Sequence, residues 1–175
     1  MNATFTLIDT AWGTFGFVTS GDALLATYLP ATERYIRRAI AERWPHAVED
    51  ARALPVFRRN VNAYFQGKPT SFAVRVELNG DTVFRQRVIE ACRRIPYGRT
   101  ATYADLARAA GRPGAARAVG STMAGNRCPI VVPCHRVVRA DGGLGGFSSP
   151  DGVKQKRRLL ELEGVSTPTS WATAV

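Results

Sequence analysis

A change of side-chain periodicity along the chain restricts its fold more than any other feature. The first thirty residues, in "FTLIDTAWGTFGFVTS" and "ALLATYLP", carry β-branched and aromatic residues broken by Gly13, Gly16 and the "SGD" at Ser20–Asp22. That is the composition and punctuation of short strands joined by turns, and a meander of about three antiparallel strands is expected. In "ATERYIRRAIAERW" the apolar positions Tyr35, Ile36, Ala39, Ile40 and Trp44 fall near the 3.6-residue spacing of a helix. "LPVFRRNVNAYFQG" repeats this with Val56, Phe57, Val61, Tyr64 and Phe65, and closes on Gly67 and Pro69, a helix end. "SFAVRVEL" returns to strict alternation, with Phe72, Val74, Val76 and Leu78 on one face, and reads as a strand. "NGD" at Asn79–Asp81 lies near an expected domain boundary.

Beyond it the chain is helical and then irregular. "TVFRQRVIEACRRIPYG" aligns Phe84, Val88, Ala91, Cys92 and Ile95 on one stripe, so Cys92 reads as a small core hydrophobe. "TYADLARAAG" places Thr102 and Asp105 at the spacing of a capping box, with Asp in place of Glu. "RPG" then breaks the chain, and "AARAVGSTMAGN" makes a helix of small residues. The pair forms a helix-turn-helix pattern, which alone is a weak signal. "CPIVVPCHRVVRADGGLGGFSSPDG" is mostly not helical: Pro129 and Pro133 stiffen it, and Gly142, Gly143, Gly145 and Gly146 loosen it. It lacks the pattern of a phosphate-binding P-loop. "VKQKRRLLELEGV" is a final amphipathic helix ended by Gly164. There is no internal repeat. The expected organisation is an N-terminal α/β domain over 1–82, a C-terminal helical domain over 83–165, and a loose tail over 166–175.

A chain of 175 residues with 45% hydrophobic content can build a soluble core. No apolar run approaches the roughly 20 residues that span a bilayer, and the start has no basic region followed by an apolar stretch, so neither a membrane segment nor a signal peptide is expected. Cys92, Cys128 and Cys134 are an odd number without CxxC spacing, which points to free thiols in a reducing, cytoplasmic setting. The net charge of +10 is uneven: nine Lys and Arg against eight Asp and Glu before residue 83, fifteen against six from there on. A basic half suggests an anionic partner, with nucleic acid first.

"VVPCHRVV" at Val131–Val138 concentrates the chemistry. A zinc site needs about four ligands, and Cys128, Cys134, His135, His46 and Cys92 offer no familiar spacing. A cysteine hydrolase needs a base and an orienting partner; Cys134 and His135 on an extended segment would point to opposite sides, although a water could bridge them. The third reading is a buried thiol beside a satisfied histidine.

"PCHRV", preceded by "RAVGSTMAGN" and followed by "GGLGGFSSPDGVKQKRRLLELEG", resembles the O6-alkylguanine-DNA alkyltransferases. The resemblance is dense from Ile95 to Gly164; the first half fits only in layout, a strand-rich domain before a helical DNA-binding one. It implies a ribonuclease H-like N-terminal domain and a winged-helix-like C-terminal one. It also implies direct-reversal repair: an alkyl group passes once and irreversibly from O6 of guanine in double-stranded DNA to Cys134, O4 of thymine being a related second target. The implied protein is monomeric, off the membrane, and needs no metal or other cofactor. Relatives that only bind lesions carry Trp at the Cys position.

The resemblance implies roles for particular residues. Cys134 is the nucleophile, His135 its base through a water, and Glu163 the carboxylate behind the histidine, with Glu161 as rival. Asn126 pins the turn before the active segment, and Tyr103 contacts a phosphate and donates a proton to the departing guanine. Arg117 fills the gap left by a flipped nucleotide, on a helix whose small residues, among them Ala116, Gly120 and Ser121, fit a narrow minor groove. Met123, Val137, Phe147 and Ser148 line the pocket. Two departures stand out: Phe147 replaces a Tyr common among relatives, and "SSPDG" is about two residues longer. Arg136 reads as either structural or phosphate-facing, and Cys128 as structural.

Overall fold

A computed structural model describes residues 3–166, so the expected tail lies, from 167 on, outside the described residues. Two compact units divide the chain between Glu77 and Leu78. In the first, Thr4–Thr10 (β1), Gly13–Ser20 (β2) and Ala23–Ala31 (β3) form the antiparallel meander. Two strands of two residues each extend it, Val48–Glu49 (β4) beside β1 and Arg75–Val76 (β5) beside β3, both parallel, giving the order β4-β1-β2-β3-β5. The strand read over "SFAVRVEL" is therefore much shorter than its alternation suggests, because pairing with β3 ends after Val76.

Helices cover both faces of this sheet. Glu33–Arg43 (α1), capped by the Thr32 side chain, packs Ile36 and Ile40 on Val18, Leu25 and Ala26. Gly16 does not break β2. It lies mid-strand under α1, where a Cβ would stand 2.5 Å from Ile36 Cγ2, so only glycine admits the helix at this distance. Tyr35, one of the apolar positions at helical spacing, is exposed. On the other face Pro55–Phe65 (α2) buries Phe57, Val61, Tyr64 and Phe65, while Val56 stays in solvent. Phe57 meets Phe17 edge-on at 5.2 Å and Phe72 at 5.5 Å, a geometry aromatic rings favour.

The second unit contains Val83–Arg93 (α3), Tyr103–Ala109 (α4), Ala116–Ala124 (α5) and Gly152–Leu162 (α6). Thr102 and Asp105 form the capping box that starts α4. The stripe of α3 includes Ile89, and Phe84 is only half-buried, with the Arg112 guanidinium over its ring. One parallel pairing organises the unit: Ala101–Thr102 (β6) runs beside Val137–Val138 (β7). It sets the start of α4, at Tyr103, next to the segment that follows Cys134. Among the described residues no helix is long and apolar enough to cross a membrane.

Candidate active site

Asn126 follows the last turn of α5 and organises the segment ahead of Cys134. Its Nδ2 donates to the Val132 carbonyl at 2.8 Å and to Cys134 Sγ at 3.0 Å, and its Oδ1 accepts the Cys128 backbone N–H at 3.0 Å. Within this loop Ile130 has φ +65°, a left-handed conformation that costs a β-branched residue about 1–3 kcal/mol. The bond from Val132 N–H to the Cys128 carbonyl at 2.8 Å, with the three Asn126 contacts, holds it there. The chain then tightens: Cys134–Arg136 is a 3₁₀ turn, not the extended stretch that the sequence suggests.

That turn carries His135 and Arg136 to the C-terminal end of α6, where Glu163 is the cap residue. His135 Nε2 lies 2.7 Å from Glu163 Oε1. Arg136 donates through Nε to Oε2 at 2.9 Å and through Nη2 to Oε1 at 3.0 Å, and the Gly98 N–H reaches Oε2 at 3.0 Å. Each carboxylate oxygen thus receives two donors. Glu161 is exposed, so the carboxylate at the histidine is that of Glu163. Burial opposes ionisation of Glu163, but the hydrogen bonds from His135 and Arg136 and the Arg136 guanidinium charge outweigh it and hold its carboxyl at about 2. An ionised carboxylate only accepts, so the imidazole carries its proton on Nε2 and keeps a lone pair on Nδ1. Burial pushes the pKa of His135 down, against the opposing effect of Glu163, and the ring stays neutral. Arg136 is buried, with Nη1 also on the Ile95 carbonyl at 2.6 Å and its guanidinium over Tyr97. It is structural, and a phosphate-facing role is ruled out by this burial.

The Cys134 thiol is buried. Burial pushes its pKa up, while the Asn126 hydrogen bond, the Lys156 charge and nearby backbone N–H groups favour the thiolate. Lys156, which the sequence places only within the final amphipathic helix, is fully buried. Its Nζ donates to the carbonyls of Val137 at 2.6 Å, Gly146 at 3.3 Å and Leu144, and it stands 5.8 Å from the centre of the Tyr103 ring. Burial lowers its pKa from 10.5 to about 8. "KQKRR" gives no signal that separates this lysine from its solvated neighbours. Tyr103 is half-buried, and burial, then the Cys134 charge, push its phenol up, so it remains a proton donor at neutral pH. Its ring lies against Gly145, where a Cβ would stand 2.7 Å from the phenol oxygen on a backbone of φ +71°.

Cys134, His135, Asn126, Glu163, Tyr103 and Lys156 therefore share one neighbourhood. Arg117 and Ser121 lie exposed on α5, beside the half-buried Ala116 and Gly120. Met123 and Val137 are buried, Phe147 is half-buried and Ser148 is exposed. Cys92 and Cys128 are buried thiols, and burial pushes Cys128 up to about 12. Among the described residues no group of three or more His, Cys, Asp or Glu is placed to hold a metal ion.

Comparison with known proteins places this geometry. Residues 83–165 match the family "6-O-methylguanine DNA methyltransferase, DNA binding domain". A methylated-DNA–protein-cysteine methyltransferase of Mycobacterium bovis is 49% identical over 108 residues, 62% of this chain and 64% of that one; the match thus spans just under two thirds of that relative. One of Methanopyrus kandleri is 46% identical over 119 residues, 66% of this chain and 85% of that one. The crystal structure of Mycobacterium tuberculosis OGT in complex with DNA superposes with a TM-score of 0.75 at 39% identity, covering 91% of this chain and 92% of that one. With the Asn–Cys–His–Glu cluster lying within the matched region, the chain belongs to the methylated-DNA–protein-cysteine methyltransferase family.

Proposed function

We propose that this chain repairs DNA by direct reversal, moving the methyl or other alkyl group from O6 of guanine to Cys134 in one irreversible step. One observation carries the reading: an ionised Glu163 holds a neutral His135 with its Nε2–H committed at 2.7 Å, directly after a thiol that accepts a hydrogen bond from Asn126 at 3.0 Å. A histidine so fixed is a general base at Nδ1. The Sγ proton passes through a water to Nδ1. The sulfur lone pair attacks the sp³ alkyl carbon in line, the S–C bond forms, the C–O6 bond breaks, and its electrons stay on the guanine. Tyr103 protonates the departing base, so it leaves neutral. The thioether product, unlike the thioester of a hydrolase, does not yield readily to water, and each molecule acts once.

The damaged nucleotide must leave the stack to reach a buried thiol, at a cost of a few kcal/mol. The exposed Arg117 would occupy the vacancy, and the small face of α5, with Ala116, Gly120 and Ser121, would lie along the minor groove. M. tuberculosis OGT has been crystallised with DNA, which supports DNA binding here. Met123, Val137, Phe147 and Ser148 would frame the flipped base, and binding would show little sequence preference because phosphate contacts dominate. In this reading the first unit is the ribonuclease H-like domain, the second the winged-helix-like one, and the protein works as a cytoplasmic monomer.

The test is intact mass. Incubation of the full chain with a duplex containing O6-methylguanine should add one methyl mass per molecule, mapped to Cys134 and absent in Cys134→Ser. Tight binding without an adduct would make it a lesion-binding protein; turnover without an adduct would make it a hydrolase. Either outcome overturns the proposal.

A further inference from the structure

The turn that carries Asn126 is gripped from outside as well as within. Arg85, in the first turn of α3, donates through Nη2 to the Gly125 carbonyl at 2.8 Å. Its guanidinium also lies on Gly125 itself, where a Cβ would stand 3.0 Å from Nη2 and 3.1 Å from Nη1. Asp81, just ahead of α3, pairs with Arg85 Nε at 2.7 Å and stands 3.8 Å from Arg127 Nη2. The Asp81 backbone is in turn tied to α3, its carbonyl accepting Gln86 Nε2 at 3.1 Å. Gly125 and Arg127, the neighbours of Asn126 on either side, thus both face the start of α3, Gly125 through a hydrogen bond to Arg85 and Arg127 through its guanidinium near Asp81. The Gly125 carbonyl held by Arg85 belongs to the peptide plane that leads into Asn126.

These ion pairs are partly exposed, with side-chain accessibilities of 13% for Asp81, 28% for Arg85 and 33% for Arg127. Pairs of that kind add little to global stability. Their geometric leverage is larger, because misplacing a reacting group by about 1 Å can cost on the order of a hundredfold in rate. We infer that Asp81 and Arg85 are positioning residues of the alkyl-transfer site: they fix the turn at Gly125–Arg127 and so aim the Asn126 amide at Cys134 Sγ. The inference rests on Cys134 being the alkyl acceptor.

The experiment uses the full chain and the variants Arg85→Met, Arg85→Lys and Asp81→Asn. Three quantities are read: single-turnover methyl transfer from an O6-methylguanine duplex at saturating protein, the pH dependence of Cys134 alkylation by iodoacetamide in the free protein, and Kd for unmodified duplex. Arg85→Met should slow transfer by about tenfold. It should move the midpoint of Cys134 alkylation to higher pH, because a thiolate that loses its Asn126 donor is disfavoured. It should leave Kd within about twofold, since the Arg85 guanidinium is committed to Gly125 and Asp81 rather than to phosphate. Arg85→Lys, which keeps the charge facing Asp81, should recover part of the rate. Asp81→Asn should shift both readouts in the same direction by less, and carries the test if Arg85→Met does not fold. Unchanged transfer and an unchanged midpoint in the folded variants would overturn the inference, as would a loss confined to Kd. If the wild-type protein takes no methyl from DNA, the functional reading fails, and the iodoacetamide profile still decides whether the clamp sets the thiol.

Discussion

Replacing Glu163 with Gln tests the site where its charge is most concentrated. Glu163 is buried, and its carboxyl is held at about 2 instead of 4.5. A difference of that size corresponds to about 3 kcal/mol of preference for the ionised form in the folded protein. The amide forfeits this preference and leaves Arg136 buried without its counter-charge, and removing one partner of a buried pair costs roughly 3–5 kcal/mol. A domain stable by about 5–15 kcal/mol survives such a loss, at least at low temperature. Catalysis suffers separately. A carboxylate can only accept, whereas an amide can turn its NH2 toward His135, so Nε2–H is no longer enforced and the imidazolium formed on proton transfer loses its counter-charge. General-base contributions are on the order of 10² to 10⁴, so single-turnover transfer should fall by about 10² or more. Glu161→Gln, at an exposed position, should leave the rate unchanged and stability within about 0.5 kcal/mol. The folded pKa of Glu163 is depressed, so its stabilisation is fully present above 4.5 and is lost as pH falls toward 2. Urea denaturation should therefore show a flatter acid limb for Glu163→Gln than for wild type over that window. Transfer by Glu163→Gln at the wild-type rate, parallel acid limbs, or a slow Glu161→Gln beside a normal Glu163→Gln would each refute this reasoning.

Three further perturbations probe the surroundings. Asn126→Leu removes the donor to Cys134 Sγ and Val132 and the acceptor of Cys128 N–H; each buried group left unpaired costs about 1–3 kcal/mol, and transfer measured well below Tm should drop about tenfold or more, a normal rate counting against the role given to Asn126. Gly145→Ala puts a methyl 2.7 Å from the Tyr103 phenol oxygen on a left-handed backbone; it should destabilise by about 1 kcal/mol or more and slow transfer from DNA while iodoacetamide still reacts normally with Cys134, and equal losses in both reactions would contradict this. Lys156→Met isolates a buried ammonium whose pKa falls from 10.5 to about 8. The burial penalty is present below 8 and relieved as pH rises toward 10.5, so wild type should gain on the variant by up to about 3 kcal/mol across that window; a constant difference in denaturation free energy would disprove the assignment.

Periodicity made the elements legible but not their neighbours. The meander and the amphipathic helices were visible because each repeats a local pattern over seven or more residues. Gly16 read as a break because a glycine in a strand looks the same whether the chain turns or a helix presses on it. Tyr35 and Val56 share the helical spacing of the apolar positions yet are exposed, because spacing does not reveal how wide a face the neighbouring strands cover. β4, β6 and β7 have two residues each, too few for any sequence pattern, and the pairing of β6 with β7 places Tyr103. Lys156 was invisible for a related reason: a lysine reads as solvated unless three backbone carbonyls are already in place to receive it.

The 3₁₀ turn explains how three consecutive residues serve one site. On a strand, alternate side chains share a face, so Cys134 and Arg136 would point together and His135 away. With three residues per turn, successive side chains instead spread by about 120°. Cys134 can then meet Asn126 while both His135 and Arg136 reach Glu163. The charge arrangement follows from that placement. In the proposed relay the His135 hydrogen bond and the Arg136 guanidinium keep Glu163 ionised, so the thiol proton would end on His135, as an imidazolium paired with a carboxylate that also faces a guanidinium. The positive charge next to the histidine in "CHR" lowers the pKa of the ring directly. It also helps the His135 hydrogen bond hold the negative charge of Glu163, on which the proposed base role depends.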